Sequence, residues 1–426
     1  MNRSPVSAAP NVSLASYMSF AAFGIFWGTW GASIPGLRAQ TGISDGQLGM
    51  ALLFIGAGAL PAMLLVGRVV DRLGVRLTAA AALTAQGVSG LVIAVGAMDF
   101  TTLCLGLLLV GAASGAADVA INAAAGAAEQ AAARPVITRS HGMFSAFVVV
   151  SSLGTGLSAT LGATVVFSFA VVGVASVLVA LFLLLALPLQ SPSGAAAGAG
   201  PGVREAGAEL KDRDSNSAGA TVAVLPVLLL GALGALAFAG ENAHQSWSAV
   251  FFEDELRTGP GLSSTAPAVF ATVVAITRFS VGAVRATQAR GVLIIGAAGA
   301  TLGAAILAIA TTTSIAWIGL AVSAAGTAVL YPTLLGMLSR STREEARGRA
   351  TSLLATVSYL GFLLGPAYVG LWSEAAGLRG AMLAVAGLCA ALLALTPVLL
   401  PIFQRLSAST SIPSSGNQEE SIKRRP

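Results

Sequence analysis

The stretch "GRVVDRLGVR", Gly67 to Arg76, places four charged residues in ten positions between two apolar walls. On its left runs "LGMALLFIGAGALPAMLLV" and on its right "LTAAAALTAQGVSGLVIAVGA", and neither wall contains a charged residue. An apolar run of about 20 residues spans a bilayer as a helix. The stretch therefore reads as a short polar connection between two membrane spans.

The same alternation continues along the chain. Of 426 residues, 55% are hydrophobic and only 10% are charged, against about 25% charged in a soluble domain. Twelve apolar spans are expected, at 14–34, 47–66, 77–97, 101–128, 140–163, 165–187, 222–250, 263–284, 291–311, 313–338, 349–371 and 380–402. Spans three and four are separated only by "MDF". The 50 glycines, with abundant alanine, suit membrane helices, which associate by close packing of small residues. A β-barrel is excluded because no alternating apolar-out, polar-in pattern occurs. The fold class is thus an all-α integral membrane protein, with twelve transmembrane helices in two pseudo-symmetric six-helix bundles.

The organisation follows from composition. Residues 1–187 form an N-terminal bundle and 222–402 a C-terminal bundle. Between them, 188–221 is rich in Gly, Ala, Ser and Pro and then in charge, the composition of a flexible linker. Residues 403–426 are a tail. A weak internal repeat supports the division: Trp30 is followed by "IPGLR" ending at Arg38, and Trp247 by "FFEDELR" ending at Arg257. Repeated halves mark many secondary transporters. Cys104 and Cys389 both fall inside spans and read as small core residues. The first apolar run ends at Pro35 with no small-residue cleavage site, so it is expected to remain as span one.

With the N-terminus inside, the cytoplasmic segments carry 19 Lys and Arg residues, while the outer loops carry three, Arg38, Arg257 and Arg379. This is a strong positive-inside bias. The net charge of +5 therefore reports topology, and no nucleic-acid partner is expected. Both termini and the linker are placed in the cytoplasm of a multi-pass inner-membrane protein.

Gly67, Asp71, Arg72, Gly74 and Arg76 resemble the signature loop of the major facilitator superfamily. The glycines permit a tight turn. Asp71 would latch the inner side shut by docking at the N-terminus of span eleven, where a helix attracts an anion by ~0.3–1 kcal/mol and up to ~2 when partly buried. The equivalent stretch of the second half, "RFSVGAVRATQARG", lacks the Asp. "GAADVAINAAAGAAEQAAARPVITRSHGMFSAF", "ENAHQSWSAVFF", "AVLYPTLLGML" and "SYLGFLLGPAYVGLWSEAAGLR" are similar to a bacterial branch that includes the rhizopine permease and relatives of the fucose permease. The resemblance implies alternating-access transport of a small solute, sugar- or inositol-like. Relatives tend to show Glu-Gly where this chain has Glu241-Asn242.

Ionisable groups inside spans cost ~2.5–3.5 kcal/mol each and default to function. Asp118, Asn122 and Glu129 share one face of span four. Asp118 is the first candidate for proton coupling, with Glu241 and Glu129 behind it; Glu129 is also expected to pair with Arg134 or Arg139. Glu241, Asn242, His244 and Trp247 in span seven form a candidate solute cluster, with Trp27, Trp30, Tyr331 and Tyr359 as further cavity candidates. The tryptophans could instead belong to an interfacial belt. His141 could pair with Glu129 or be solvated. Arg278 could bind an anion, pair with a span-four carboxyl, or snorkel to the cytoplasm.

Other classes fit less well. Two His and two Cys make no convincing metal cluster, no zinc-protease or phosphate-binding Gly-rich motif occurs, and no cofactor is expected. The chain reads as a non-enzyme. Span five lacks the Gly-Pro motif common in drug antiporters; Gly361, Gly365 and Pro366 carry one in span eleven. The expected function is proton-coupled symport of a small polar solute by a monomer in the lipid bilayer. A drug or metabolite efflux pump is the alternative, and a sensor on a transporter fold a more distant one.

Overall fold

The computed structural model describes residues 5–132, 134–187, 224–281, 285 and 287–411. Among the described residues the secondary structure is helical throughout, with no strand. The helices are α1 (Pro5–Thr41), α2 (Asp45–Gly96), α3 (Phe100–Ala132), α4 (Ile137–Thr160), α5 (Val165–Ala186) and α6 (Val224–Asp254). They continue as α7 (Pro260–Ser263), α8 (Thr265–Val281), α9 (Ala289–Ala308), α10 (Thr313–Ala328), α11 (Leu330–Ser341) and α12 (Glu344–Ser411). The 188–221 linker lies outside the described residues, as does the tail beyond Ser411.

Ten stretches among the described residues are long and apolar enough to cross a membrane. Two of them are too long for one crossing. At 1.5 Å per residue, the 52 residues of α2 would extend about 78 Å, against an apolar bilayer core of about 30 Å. The break is at Gly74, whose φ of 79° leaves the helical region, a conformation that costs other residues a Cβ clash. Gln40 beside the start of α2 donates to the carbonyls of Ala94 (3.0 Å) and Ala97 (2.8 Å) at its far end. The two arms, 45–73 and 75–96, are therefore a hairpin. The 68-residue α12 breaks in the same way at Gly377, φ 73°, and Ala350 and Phe403 from its two arms share one core cluster. Ten stretches, two of them hairpins, match the twelve expected spans in number of helical arms among the described residues. The signature stretch is helix up to Leu73 with one non-helical glycine, and the expected loop shrinks to that residue.

Short caps set the other turns. Ser44 and Gln47 form a reciprocal capping box at the start of α2, and Thr164 and Thr312 cap α5 and α10. Where "MDF" separates spans, hydrogen bonds from the Thr102 backbone N–H and hydroxyl hold the Asp99 carboxyl below its usual 3.8.

The core forks. One large cluster joins both halves through Trp30, Ile34, Leu37, Trp247, Phe251 and Phe270. It lies toward the Arg38 end of the bundle. Toward the Asp71 end the halves have separate cores: Phe20, Leu83, Ile121 and Leu183 in α1–α5, and Leu230, Leu293, Leu334 and Leu354 in α6–α12. The halves share one core at the Arg38 end and have separate cores at the other, where Gly142 of α4 lies beside Phe279 of α8.

Candidate functional site

The space between the halves is walled by polar groups at mid-helix. On α3, the Asn122 amide donates to the Asp118 carbonyl (2.9 Å) and carboxylate (3.1 Å). The i,i+4 spacing brings them together on one helical face. On the opposite wall, Arg278 of α8 grips Glu241 of α6 through Nη2, at 3.0 and 3.3 Å from the two carboxylate oxygens. Gln245, one turn beyond Glu241, is exposed and lies 3.4 Å from the same carboxylate.

Proline explains how Arg278 is held. Pro332 has no N–H, so the Ala328 carbonyl four residues earlier loses its helical donor, and the helix breaks between α10 and α11. Arg278 Nε fills the vacancy, donating to Ala328 O at 3.2 Å. The same device recurs in α12. Pro366 deprives the Phe362 carbonyl, and Asn242 donates to it at 2.5 Å. Asn242 is thus a tie between α6 and α12.

Aromatic rings complete the second wall. Phe238, three residues before Glu241, stacks on Tyr331 at 4.3 Å between centroids and leans on Tyr359 at 5.5 Å. Tyr359 is 41% exposed although it sits mid-helix in α12. It lies within electrostatic reach of both Asp118, from the other half, and Glu241.

The Arg38 end is sealed by a charged network and close helix contacts. Arg38 of α1 bonds Asp254 of α6 at 2.5 Å and Asp45 of α2 at 3.2 Å. Asp45 also accepts from Ser373 of α12, and Ser44 lies 3.4 Å from Glu374. A Cβ on Gly49 would stand 2.9 Å from the Gly370 Cα, so α2 and α12 touch backbone to backbone. Ser152 of α4 donates to the Ser264 carbonyl at 2.8 Å. Arg379 binds Glu255 (2.9 Å) and the Ala308 and Ala310 carbonyls, tying α12 to its own half.

The sequence profile of the Major Facilitator Superfamily matches residues 15–320 and 287–421. The chain belongs to this superfamily. Among similar proteins, an uncharacterized transporter of Sinorhizobium fredii is 27% identical over 386 residues, covering 88% of this chain and 95% of that protein. The membrane protein MosC of Rhizobium meliloti is 25% identical over 362 residues, covering 84% and 83%. Among solved structures, the nucleoside transporter NupG aligns with TM-score 0.68 at 14% identity, over 92% of this chain and 99% of that one. A D-xylose-proton symporter also aligns at 0.68, with 15% identity, over 92% and 97%. The structures share the fold, and the family is one of transporters, not enzymes.

Within this superfamily fold, several expected site residues take other roles. Trp247 is fully buried and donates to the Pro366 carbonyl at 3.1 Å; with Trp30 it belongs to the joint core, neither cavity wall nor interfacial belt. Trp27 is half-buried against Phe23 and Phe26. His244 does not join the Glu241 cluster: its ring lies 2.7 Å from Ser323 Oγ in the interior. Arg278 pairs with Glu241 and not with a span-four carboxyl. Glu129 makes no ion pair with Arg134 or Arg139 among the described residues; its carboxylate caps α4, accepting from the Val136 and Ile137 N–H groups at 2.8 and 3.0 Å. His141 meets Phe20 edge-on at 4.8 Å, not Glu129. Asp71 and Arg72 are exposed, and Asp71 makes no hydrogen bond or ion pair among the described residues; the latch contact is open here. Four positions of the second-half counterpart, 282–284 and 286, are outside the described residues.

Sequence reasoning missed Phe238, Gln245 and the Arg38–Asp45–Asp254 network. The first two were available as i−3 and i+4 neighbours of Glu241. The network joins residues far apart in the chain and had no local signal.

Proposed function

We propose that this protein moves a small polar solute, sugar- or inositol-like, across the bacterial inner membrane by alternating access coupled to protons. The observation that carries the reading is the set of polar groups inside both halves, Asp118 with Asn122 on α3 and Glu241 gripped by Arg278 beside Tyr331 and Tyr359, in a bundle whose halves are tied at the Arg38 end. Polar and aromatic groups in one cleft suit a hydroxylated ring, with hydrogen bonds at its edge and stacking on its apolar face. The structural neighbours, a nucleoside transporter and a D-xylose-proton symporter, fit that chemistry.

The excess of Arg and Lys at the Asp71 end assigns that end to the cytoplasm. The conformation is then inward-open, with termini inside. In the cavity, Glu241 already has a cation. Asp118 has the Asn122 amide and no cationic partner among the described residues. A carboxylate at membrane depth without a cation is costly, so a proton is the natural counter-charge, and Asp118 carries it. Solute and proton leave together toward the cytoplasm in this state.

Proteoliposomes with an imposed pH gradient and a panel of polyols and nucleosides test the reading. Asp118→Asn mimics the protonated state: gradient-driven accumulation is expected to vanish while solute exchange at equal concentrations survives. Loss of both in a folded variant would assign Asp118 to solute binding. Retained accumulation would remove Asp118 from coupling and move the role to Glu241.

A further inference from the structure

The bilayer-facing side of the first half carries a groove that the transport pathway does not use. It runs between the 75–96 arm of α2 and α5, with a volume of about 490 Å³. Its lining includes Leu77, Ala81, Thr84, Ala85, Leu181 and Leu184. Small side chains on α2 opposite branched ones on α5 create the hollow. From Leu77 to Val88 it extends about 16 Å along the helix, the length of most of an acyl chain. The lining is apolar except for Thr84.

Arginine stands at one end. Arg76 immediately precedes Leu77, and its Nη1 reaches the Leu187 carbonyl at the end of α5 at 3.2 Å. Its Nε is buried without an acceptor among the described residues, so a group arriving from the bilayer would meet the guanidinium through its terminal nitrogens. Arg72 is exposed at the same end, and Asp71 is the acidic residue of that stretch, also exposed. An apolar groove ending in cationic donors matches a molecule with a hydrocarbon chain and an anionic head.

We propose that an anionic phospholipid of the cytoplasmic leaflet occupies this groove, its acyl chain between α2 and α5 and its phosphate on the Arg76 guanidinium. A neutral lipid would fill the hollow but leave the arginines without net counter-charge. The lipid would brace the α2–α5 contact beside the Gly74 break. This site needs only the membrane embedding, so it stands apart from the identity of the solute.

Native mass spectrometry of the detergent-solubilised full chain, titrated with phosphatidylglycerol or phosphatidylcholine, tests it. One tightly held phosphatidylglycerol is expected, and Arg76→Gln is expected to weaken it about fivefold, the effect of one surface cation on an anionic lipid, while phosphatidylcholine binding stays unchanged. Ala85→Trp, which fills the groove from an exposed position, is expected to displace both lipids and carries the test alone if the first variant does not fold. Phosphatidylglycerol binding unchanged by both variants would overturn the proposal. So would equal competition by soluble glycerol phosphate, which has the head but no chain.

Discussion

Removing Arg278 and removing Glu241 are expected to have unequal costs, although they are partners in one ion pair. Glu241 is 9% exposed at its side chain and Arg278 44%. In Glu241→Gln the arginine remains in the wet mouth of the cavity and keeps the Ala328 carbonyl, so the loss is that of an exposed pair, ~0.2–1 kcal/mol. Arg278→Gln strands a carboxylate among buried residues and also orphans the Ala328 carbonyl. Breaking a fully buried pair costs ~3–5 kcal/mol, and cavity water reduces this to roughly 2–3 kcal/mol. In the double variant only the carbonyl is orphaned, about 1–2 kcal/mol. The double variant is therefore more stable than Arg278→Gln alone. Thermal unfolding in detergent, read by a thiol-reactive dye on the buried Cys104 and Cys389, checks the order. If Glu241→Gln is as damaging as Arg278→Gln, or if the two costs simply add, the assignment of the desolvated partner is wrong.

Arg38→Gln removes the links to Asp45 and Asp254; two partly exposed pairs are worth ~0.4–2 kcal/mol, so the population opened at that end is expected to rise about two- to thirtyfold, measured by spin-label distances between α2 and α12 near Met50 and Leu371. Asp71→Asn is expected to leave thermal stability unchanged, because Asp71 has no partner among the described residues in this conformation, yet to slow transport by weakening the opposite, closed state; a large thermal shift would contradict this. Gly74→Ala forces a side chain to φ 79° and is expected to cost about 1–2 kcal/mol, whereas Gly67→Ala, with open space at its Cβ and helical backbone, is expected to gain ~0.5–1 kcal/mol; melting temperatures of the two variants should move in opposite directions.

The fold was legible because bilayer thickness converts composition directly into helices. The two hairpins, bent at Gly74 and Gly377, lie where a single charged or small-residue gap interrupts apolar sequence, so their existence was readable and their shortness was not. The site was legible only in part. Polar residues inside spans stood out: Asp118 and Asn122 hydrogen-bond each other on α3, Glu241 pairs with Arg278, and Tyr331 and Tyr359 gather on Phe238. Which of them face the cleft depends on helix rotation, and a one-residue step turns a side chain by about 100°. Asn242 and His244 flank the cavity-facing Glu241 and point instead into helix contacts. The proline-freed carbonyls of Ala328 and Phe362 were predictable from Pro332 and Pro366, but their donors come from other helices, and no local pattern names them.

The sealed end also explains how such a molecule can change state. Beside the shared core of Trp30, Ile34, Trp247 and Phe251, the halves also meet there through glycine, serine and proline, which let backbones approach closely: Gly49 on Gly370, Gly156 beside Ser264, Gly31 beside Pro267. The Arg38 ion pairs that help close this end are partly exposed, so each holds with less than about 1 kcal/mol. A solute needs only a few kcal/mol of differential binding to move such an equilibrium across. The strongest electrostatic grip in the cleft, Arg278 on Glu241, lies wholly within the second half, and Asp118 lies wholly within the first. Neither must break for the halves to rock. In the proposed cycle, closure brings the Asp118 wall toward Tyr359 and Glu241, so a solute bridging the two walls would contribute binding energy to both halves at once and favour the closed arrangement.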